Sequence, residues 1–283
     1  MHMRHTIAVL TVFALFSALP ASVPAHAREA RAATLTKGQE DGMSLSYNVY
    51  AGGFRALRAS LALDMEQKEY KVGLNAKTEG FIGKLFPWAG KYETSGTKQQ
   101  DTLKPAEYES TSIWKDEEKQ TRLEFKNGLL KTRYETETGH PDSKTDIEAD
   151  LAKDAVDMLT GAVTLLQQTN GEDSCEGTVP VFDGKRRYNL HFKDAGQGTI
   201  YESRYSLFHG EALKCIIEVE PVAGFSKRDQ KRGWLAIQNH TKERKKMPTV
   251  WLSRLKEGGP VVPVRMEISS SYGAVIAHLA GVQ

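Results

Sequence analysis

Hydrophobic and polar residues alternate along most of the chain from residue 43 onward. In the first run, one side of the predicted strand carries Met43, Leu45, Tyr47 and Val49, and the other carries Ser44, Ser46 and Asn48. A period of two with one apolar face is typical of half-buried antiparallel strands. Roughly ten to twelve such runs follow at hairpin spacing, which favours a β-sandwich or barrel over a parallel α/β fold.

The clearest hairpin lies in the stretch TRLEFKNGLLKTRYETE. Leu123 and Phe125 precede Asn127-Gly128, and Leu130 continues the alternation after it. Asn-Gly between two alternating runs is a strong hairpin signal, because both turn residues must accept a positive φ.

One segment has helical rather than strand spacing. Apolar residues recur at three- and four-residue intervals between Asp154 and Gln168, which predicts the one helix of ordinary length. Asp154 is the predicted cap, Asp157 is favourable in the first turn, and Asn170-Gly171 is the predicted stop. A shorter helical turn is predicted over 81–86, where Pro87 ends it.

The first 27 residues have the layout of a cleavable secretory signal. Arg4 precedes an uncharged apolar run, and Ala25-His26-Ala27 places small residues at the cleavage site. The apolar run is shorter than the roughly 20 residues of a membrane span, and no second long run follows. We expect a flexible leader over 28–41, a single β-rich domain over 42–283, no transmembrane segment in the mature chain, and a periplasmic location.

Charge and cysteine content narrow the classes of partner. The chain has a formal charge of +2, so we expect no general attraction to nucleic acid.

The two cysteines, Cys175 and Cys215, favour a disulfide in an exported protein, with two buried thiols as the alternative. Their spacing does not fit a zinc site, and we expect no metal. Catalytic, phosphate-binding and dinucleotide-binding strings are absent, so no catalytic residue or cofactor is predicted.

A dense apolar segment is the first candidate site. Five large side chains occur within eight residues, which is more than a strand connection needs: Phe81, Ile82, Leu85, Phe86 and Trp88. An exposed patch of this kind marks a binding site, and a mobile flap could cover an apolar ligand. The alternative is that the segment plugs one end of the sheet and completes the core.

A basic stretch is the second candidate. Its cations flank apolar residues that we interpret as an aromatic strand, and its candidate residues are Lys227, Arg228, Lys231, Arg232, Trp234, Arg244 and Lys245. Such a surface could rest on an anionic envelope surface. The alternative is that these lysines and arginines only protect sheet edges from pairing with other chains.

Several segments together resemble a family of exported bacterial proteins that is known only as domain of unknown function 3108. The resemblance lies in SLSYNVYAGGFRALRASLALD, Tyr92 to Gly96, Leu103 to Tyr108, Asp157 to Thr160, Val181 to Tyr188 and the strand that bears Cys215. It implies a periplasmic β-rich protein similar to the lipoprotein-carrier class, in which a curved antiparallel sheet or open barrel wraps one central helix.

These observations lead to three functional hypotheses. The first is a non-catalytic envelope protein that binds a lipid or acyl group, or an envelope partner, in the concave face of its sheet. The second is an interaction or scaffold protein with a filled interior that acts through its basic surface. The third is a hydrolase of envelope glycan or lipid, which would need convergent carboxylates in a cleft.

Export predicts a defined new N-terminus. Cleavage after Ala27 would make Arg28 the first residue of the mature protein. N-terminal sequencing of protein from the periplasmic fraction of its own host should begin at Arg28. An intact Met1 on protein that stays in the cytoplasm would contradict the predicted location.

Overall fold

The computed structural model describes residues 42–100, 102–137, 140–142, 149–169, 174–231, 233–270 and 273–283. The predicted signal peptide and leader lie outside these residues, as do Asn170-Gly171 and Arg232. The strands of the N-terminal half are β1 Met43–Ala51, β2 Phe54–Met65, β3 Glu69–Thr78, β4 Trp88–Gln99, β5 Thr102–Trp114, β6 Glu117–Lys126, β7 Leu129–Glu137 and β8 His140–Asp142.

The C-terminal half contains the remaining strands, which are β9 Gly177–Phe182, β10 Arg187–Ile200, β11 Gly210–Ala223, β12 Thr249–Arg254, β13 Val261–Ser270 and β14 Gly273–Val282. The helices are α1 Gly80–Leu85, α2 Ala149–Ala152, α3 Met158–Gln168, α4 Lys227–Gln230 and α5 Gly233–Glu243.

Within the described ranges, fourteen strands form one antiparallel sheet in the order β8-β7-β6-β5-β4-β3-β2-β1-β14-β13-β12-β11-β10-β9. The sheet is open, with β8 and β9 as its edges. Helix α3 contacts β4 and β5 as well as β9, β10 and β13, which are far apart in this order. The sheet must therefore curve around the helix, and the predicted fold class is confirmed. The strand count exceeds the prediction partly because β8 has three residues, too few to show alternation.

Alternate residues of the first strand are buried, as the alternation of apolar and polar residues predicted. Leu45, Tyr47 and Val49 of β1 are buried, whereas the residues between them are only partly so. The predicted hairpin joins β6 to β7, and Asn127 and Gly128 have φ values of 55° and 76°. Positive φ at both positions is what a two-residue hairpin turn with the twist of the flanking strands requires.

The central helix begins four residues later than predicted. Asp154 has a φ of 56° and lies before the helix, so it does not cap α3. The cap is Asp157, whose side chain accepts a hydrogen bond from the Thr160 backbone N–H. Val156 instead pairs with Val181 of β9, because its N–H donates to the Pro180 carbonyl at 3.0 Å. The segment before α3 is thus held as an extension of the sheet edge.

A second helix of ordinary length, α5, corrects our interpretation of the region around Trp234 as a strand. Its Gln238 side chain accepts a hydrogen bond from Val219 N–H at 2.7 Å and donates one to the Val219 carbonyl at 2.9 Å. Trp234 Nε1 donates to the same Gln238 oxygen at 3.2 Å. One amide side chain therefore supplies the bonds that a neighbouring strand would give to this part of β11.

Helix α3 fills the concave side of the sheet. Leu159 and Val163 pack with side chains of β3, β5, β6 and β9, including Tyr70 and Phe182. Leu165 and Leu166 pack with β9 to β12. A third cluster, built mainly on β1, β2, β13 and β14, continues the core beyond the helix. The helix is buried on opposite sides because the sheet surrounds it.

The predicted disulfide is confirmed. Cys175 and Cys215 are bonded, with their Cα atoms 5.9 Å apart, and both are buried. Cys215 lies on the face of β11 that points toward α3, as its alternation with Lys214 predicted. The bond joins the chain just before β9 to the neighbouring part of the sheet.

A buried polar cluster fixes the start of α3 against the N-terminal strands. One Asp157 oxygen accepts from the Thr160 N–H at 2.9 Å, and the other accepts from the Thr160 and Thr94 hydroxyls at 2.5 and 2.9 Å. The Thr160 hydrogen is committed to Asp157, so Tyr70 OH donates to Thr160 Oγ1 at 2.8 Å. Burial raises the pKa of Asp157, and these hydrogen bonds oppose the shift. The carboxyl group thus links β3, β4 and α3.

Gly96 makes room for this cluster. It is the cross-strand partner of Tyr70, and a side chain at this position would come within 2.1 Å of the Lys104 carbonyl and 2.8 Å of the Tyr70 ring. The absence of a side chain lets the tyrosine ring lie over β4. This explains the glycine in the Tyr92-to-Gly96 segment of the family resemblance.

Asp157→Ala should destabilise the protein much more than Asp154→Ala. The first change removes the helix cap and the acceptor of the buried Thr160 hydroxyl, at a cost of about 2–4 kcal/mol in the free energy of unfolding. Asp154 is exposed and precedes the helix, so its removal should cost less than about 1 kcal/mol. Urea unfolding of both variants tests this, and equal losses would contradict the assigned cap.

Candidate functional site

The structure divides the predicted apolar lid into an exposed and a buried part. Phe81 is 72% exposed and Leu85 is 51% exposed, and their spacing of four places them on one side of α1. Trp88 is only 5% exposed, and Ile82 and Phe86 are half-buried. The segment therefore combines both alternatives of the sequence analysis, a plug and an exposed surface.

The buried part is held by specific hydrogen bonds. Trp88 N–H donates to Thr78 Oγ1 at 2.9 Å, and Thr78 Oγ1 donates to the Phe86 carbonyl at 2.9 Å. Trp88 Nε1 donates to Ser112 Oγ at 3.1 Å, and the Phe86 ring lies 6.5 Å from that of Trp114. These bonds fix both ends of the connection between β3 and β4. The helix is thereby held across this end of the sheet.

A third exposed apolar residue lies beside the helix. Phe54, 75% exposed, begins β2 next to Arg55, and the Arg55 carbonyl would lie 3.9 Å from a side chain added at Gly80, the first residue of α1. In an up-and-down sheet, the β1–β2 and β3–β4 connections emerge at the same end. We refer to Phe54, Phe81 and Leu85 as the α1 surface.

Cations border the α1 surface. Arg55 and Arg58 share Glu79, each with a nitrogen 3.6 Å from the same carboxylate oxygen, so one positive charge of this trio is unbalanced. Lys77 and Lys84 are exposed near the two ends of the same connection. The β5–β6 turn beyond Phe86 adds one cation and one acid, and β6 begins with two further acids. These residues together comprise five cations and four acids, so the net charge around α1 is slightly positive.

The second candidate, the basic stretch, is not one patch. Lys227 and Lys231 lie before α5, whereas Arg244 and Lys245 follow its last turn, and all four are exposed. An eleven-residue helix separates the two groups by about 16 Å. Trp234 is partly buried and orients Gln238, so it is a structural residue of the α5–β11 contact. The side chain of Arg228 and all of Arg232 lie outside the described part.

The cations after α5 have a local structural explanation. Positive charge at the end of a helix interacts favourably with the helix dipole. Lys242 in the last turn also pairs with Glu218 at 3.3 Å, and Glu218 pairs in turn with Lys193. These contacts lower the pKa of Glu218. The α1 surface is consequently the stronger of the two candidate sites.

Single truncations should separate the two parts of the apolar segment. Trp88→Ala should lower the free energy of unfolding by about 3–5 kcal/mol, the usual cost of removing a core aromatic side chain. Phe81→Ala should change it by less than about 0.5 kcal/mol, because the ring is exposed. Chemical denaturation measures both. A large loss for Phe81→Ala would mean that this ring is part of the core.

Comparison with known proteins gives a family and a distant structural relative. No curated protein matches the chain. A crystal structure titled as a β-barrel-like protein of domain of unknown function DUF1849 from Brucella abortus is 7% identical, with a TM-score of 0.42, and the match covers 87% of this chain and 98% of that one. The model of the family described as "Protein of unknown function (DUF3108)" matches residues 46–280, and the chain belongs to that family.

Proposed function

We propose that this protein is a non-catalytic component of the cell envelope that docks onto a lipid surface through the α1 surface. The observation that carries the proposal is the exposure of Phe54, Phe81 and Leu85 at one positively charged end of the sheet. Large apolar side chains that are grouped and exposed, with cations beside them, are the features of proteins that rest on anionic membranes.

The packed interior favours binding at the surface rather than in the concave face. Helix α3 occupies that face and contributes to two of the core clusters. A lipid held there would have to displace Leu159, Val163 and their partners. The first hypothesis placed lipid binding in the concave face of the sheet. We therefore propose that the lipid is bound at the α1 surface instead.

The energies are adequate for reversible docking. Burying a phenylalanine or leucine side chain is worth about 1.5–3 kcal/mol, and a lysine or arginine near an anionic lipid surface adds about 1 kcal/mol. Three apolar side chains and two or three cations therefore support affinities in the micromolar range. Within the described ranges, no helix has the length and apolar character needed to cross a membrane.

The proposed location is the periplasm. It rests on the signal-like layout of residues 1–27, and the Cys175–Cys215 disulfide is compatible with an oxidising compartment. In that compartment the outer leaflet of the inner membrane and the inner leaflet of the outer membrane offer anionic lipids. Docking on either would place the sheet end with α1 against the lipid.

Vesicle binding tests the proposal. Wild-type protein should co-sediment with vesicles of phosphatidylethanolamine and phosphatidylglycerol, and Phe81→Ser/Leu85→Ser should reduce the binding constant by at least about tenfold. Leu129→Ser is the matched control, because Leu129 is 49% exposed in the β6–β7 hairpin at the opposite end of the sheet. All variants should unfold at similar denaturant concentrations.

Two results would contradict lipid docking. One is an absence of vesicle binding by the wild type, and the other is equal binding by the double variant and the wild type. A third result would favour the scaffold hypothesis instead. In that case neither the wild type nor the double variant binds vesicles, and the wild type binds an envelope protein that the double variant does not bind. Binding that weakens with added salt would identify the contribution of the cations.

A further inference from the structure

A row of polar and aromatic side chains crosses one face of strands β11 to β14, and its Trp251 packs against the core cluster built on β1, β2, β13 and β14. Lys214 of β11 pairs in register with Trp251 of β12, Trp251 with Arg265 of β13, and Arg265 with His278 of β14. Cross-strand partners point to the same face, so these four side chains are neighbours. The residues beside them in the chain, such as Cys215 and Leu279, belong to the core. We refer to the four as the outer row.

The outer row contains polar atoms without partners. Trp251 Nε1, Arg265 Nε and His278 Nδ1 are buried, and none has a hydrogen-bond partner among the described residues. His278 is only 9% exposed. A buried polar atom without a hydrogen-bond partner costs free energy, so three of them on three adjacent strands require an explanation. A bound group that accepts hydrogen bonds provides one.

The charge and shape of the row define that group. Trp251 has Lys214 Nζ and Arg265 Cζ each 5.6 Å from its ring centre. Glu267 pairs with Arg265 and is the acid that the structure places beside the row, so the local charge is positive. The tryptophan and arginine nitrogens are donors, and the histidine nitrogen becomes one when it carries the proton. An anion with several acceptor oxygens matches this set.

We infer that the outer row is a binding site for a phosphoryl group. Arg265 lies between the two ring residues, so an anion over Arg265 is within reach of donors from both sides. A phosphoryl group offers three acceptor oxygens in a tetrahedral arrangement, one for each nitrogen, and its negative charge suits the positive row. The free anion and a lipid headgroup carry the same phosphoryl chemistry, and both are sources for this site.

The loop between β10 and β11 covers part of the row. Leu207 N–H donates to the Leu279 carbonyl at 2.7 Å. The Tyr205 ring lies 6.1 Å from that of His278 in a stacked arrangement and 5.0 Å from that of Tyr50. His278 Nδ1 is buried and Tyr205 stacks on the same ring, so a phosphoryl group reaches this nitrogen only when Tyr205 moves away from His278. Burial, together with the charge of Arg265, lowers the pKa of His278, and Glu267 opposes this shift.

Binding of inorganic phosphate tests the inference. Thermal unfolding and calorimetric titration of the whole mature protein should show a saturable effect of phosphate that chloride at equal ionic strength does not produce. A short-chain phosphatidic acid is the second probe. Binding of both identifies the phosphoryl group alone as sufficient, and binding of the lipid only identifies a headgroup as the source.

Two conservative variants remove the donors. Trp251→Phe keeps an aromatic ring but removes Nε1–H, and Arg265→Lys keeps the charge but removes Nε–H. Each should weaken phosphate binding by at least about fivefold and change the melting temperature of the unliganded protein only slightly, because the lost N–H has no partner there while an aromatic ring or a positive charge is kept. Arg122→Lys is the matched control, since Arg122 is paired with Glu107, Glu109 and Glu124 on another part of the sheet.

Three outcomes would overturn the site. Wild-type protein that responds to neither probe has no phosphoryl site. Equal binding by Trp251→Phe, Arg265→Lys and the wild type would place the anion elsewhere. Lower melting temperatures for the two variants without any loss of binding would make the row purely structural. Phe81→Ser/Leu85→Ser should retain phosphate binding, so a failure of the lipid-docking proposal is distinguishable from a failure of this one.

Discussion

The carboxyl group of Asp157 joins the helix of this protein to its sheet. It caps α3 through the Thr160 N–H and accepts a hydrogen bond from Thr94 of β4, while Tyr70 of β3 reaches the same cluster through Thr160. Apolar packing alone lets a helix slide or rotate within a curved sheet, because it has no direction. Directional bonds to a fully buried carboxyl group allow one position only, and the rest of the core is built around it.

A helix fixed in this way determines where function can be placed. Helix α3 occupies the concave face, and both proposed binding surfaces lie elsewhere, one at an end of the sheet and one on its outer face. The structure offers one feature at each location: exposed apolar side chains on α1 at one end, and unpartnered nitrogens between Trp251 and His278 on the outside. The interior supplies rigidity to both. Strands that are anchored to a common helix hold surface side chains in a constant register.

The sequence predicted those features that depend on neighbouring residues. Alternation identified the strands, and Asn127-Gly128 located a hairpin, because both signals are local. The start of α3 was wrong, since it depends on Thr94 and Tyr70, which are distant in the chain. The helix around Trp234 was also missed, because its contact with the sheet depends on hydrogen bonds between Gln238 and Val219 of β11. The sequence alone does not show that these two residues are neighbours. The outer row depends on pairing register across four strands, which a single sequence does not specify.

The pairing of β1 with β14 has a consequence for how the molecule is made. Every other described pair joins strands that are consecutive in the chain, but β1 pairs with β14, and Ser44 is hydrogen-bonded to Gln283. One edge of β1 therefore stays uncovered until β14, the last strand of the sheet in chain order, pairs with it. An uncovered edge is a template for pairing with other chains. Removal of β14 alone would therefore leave this edge of β1 permanently exposed.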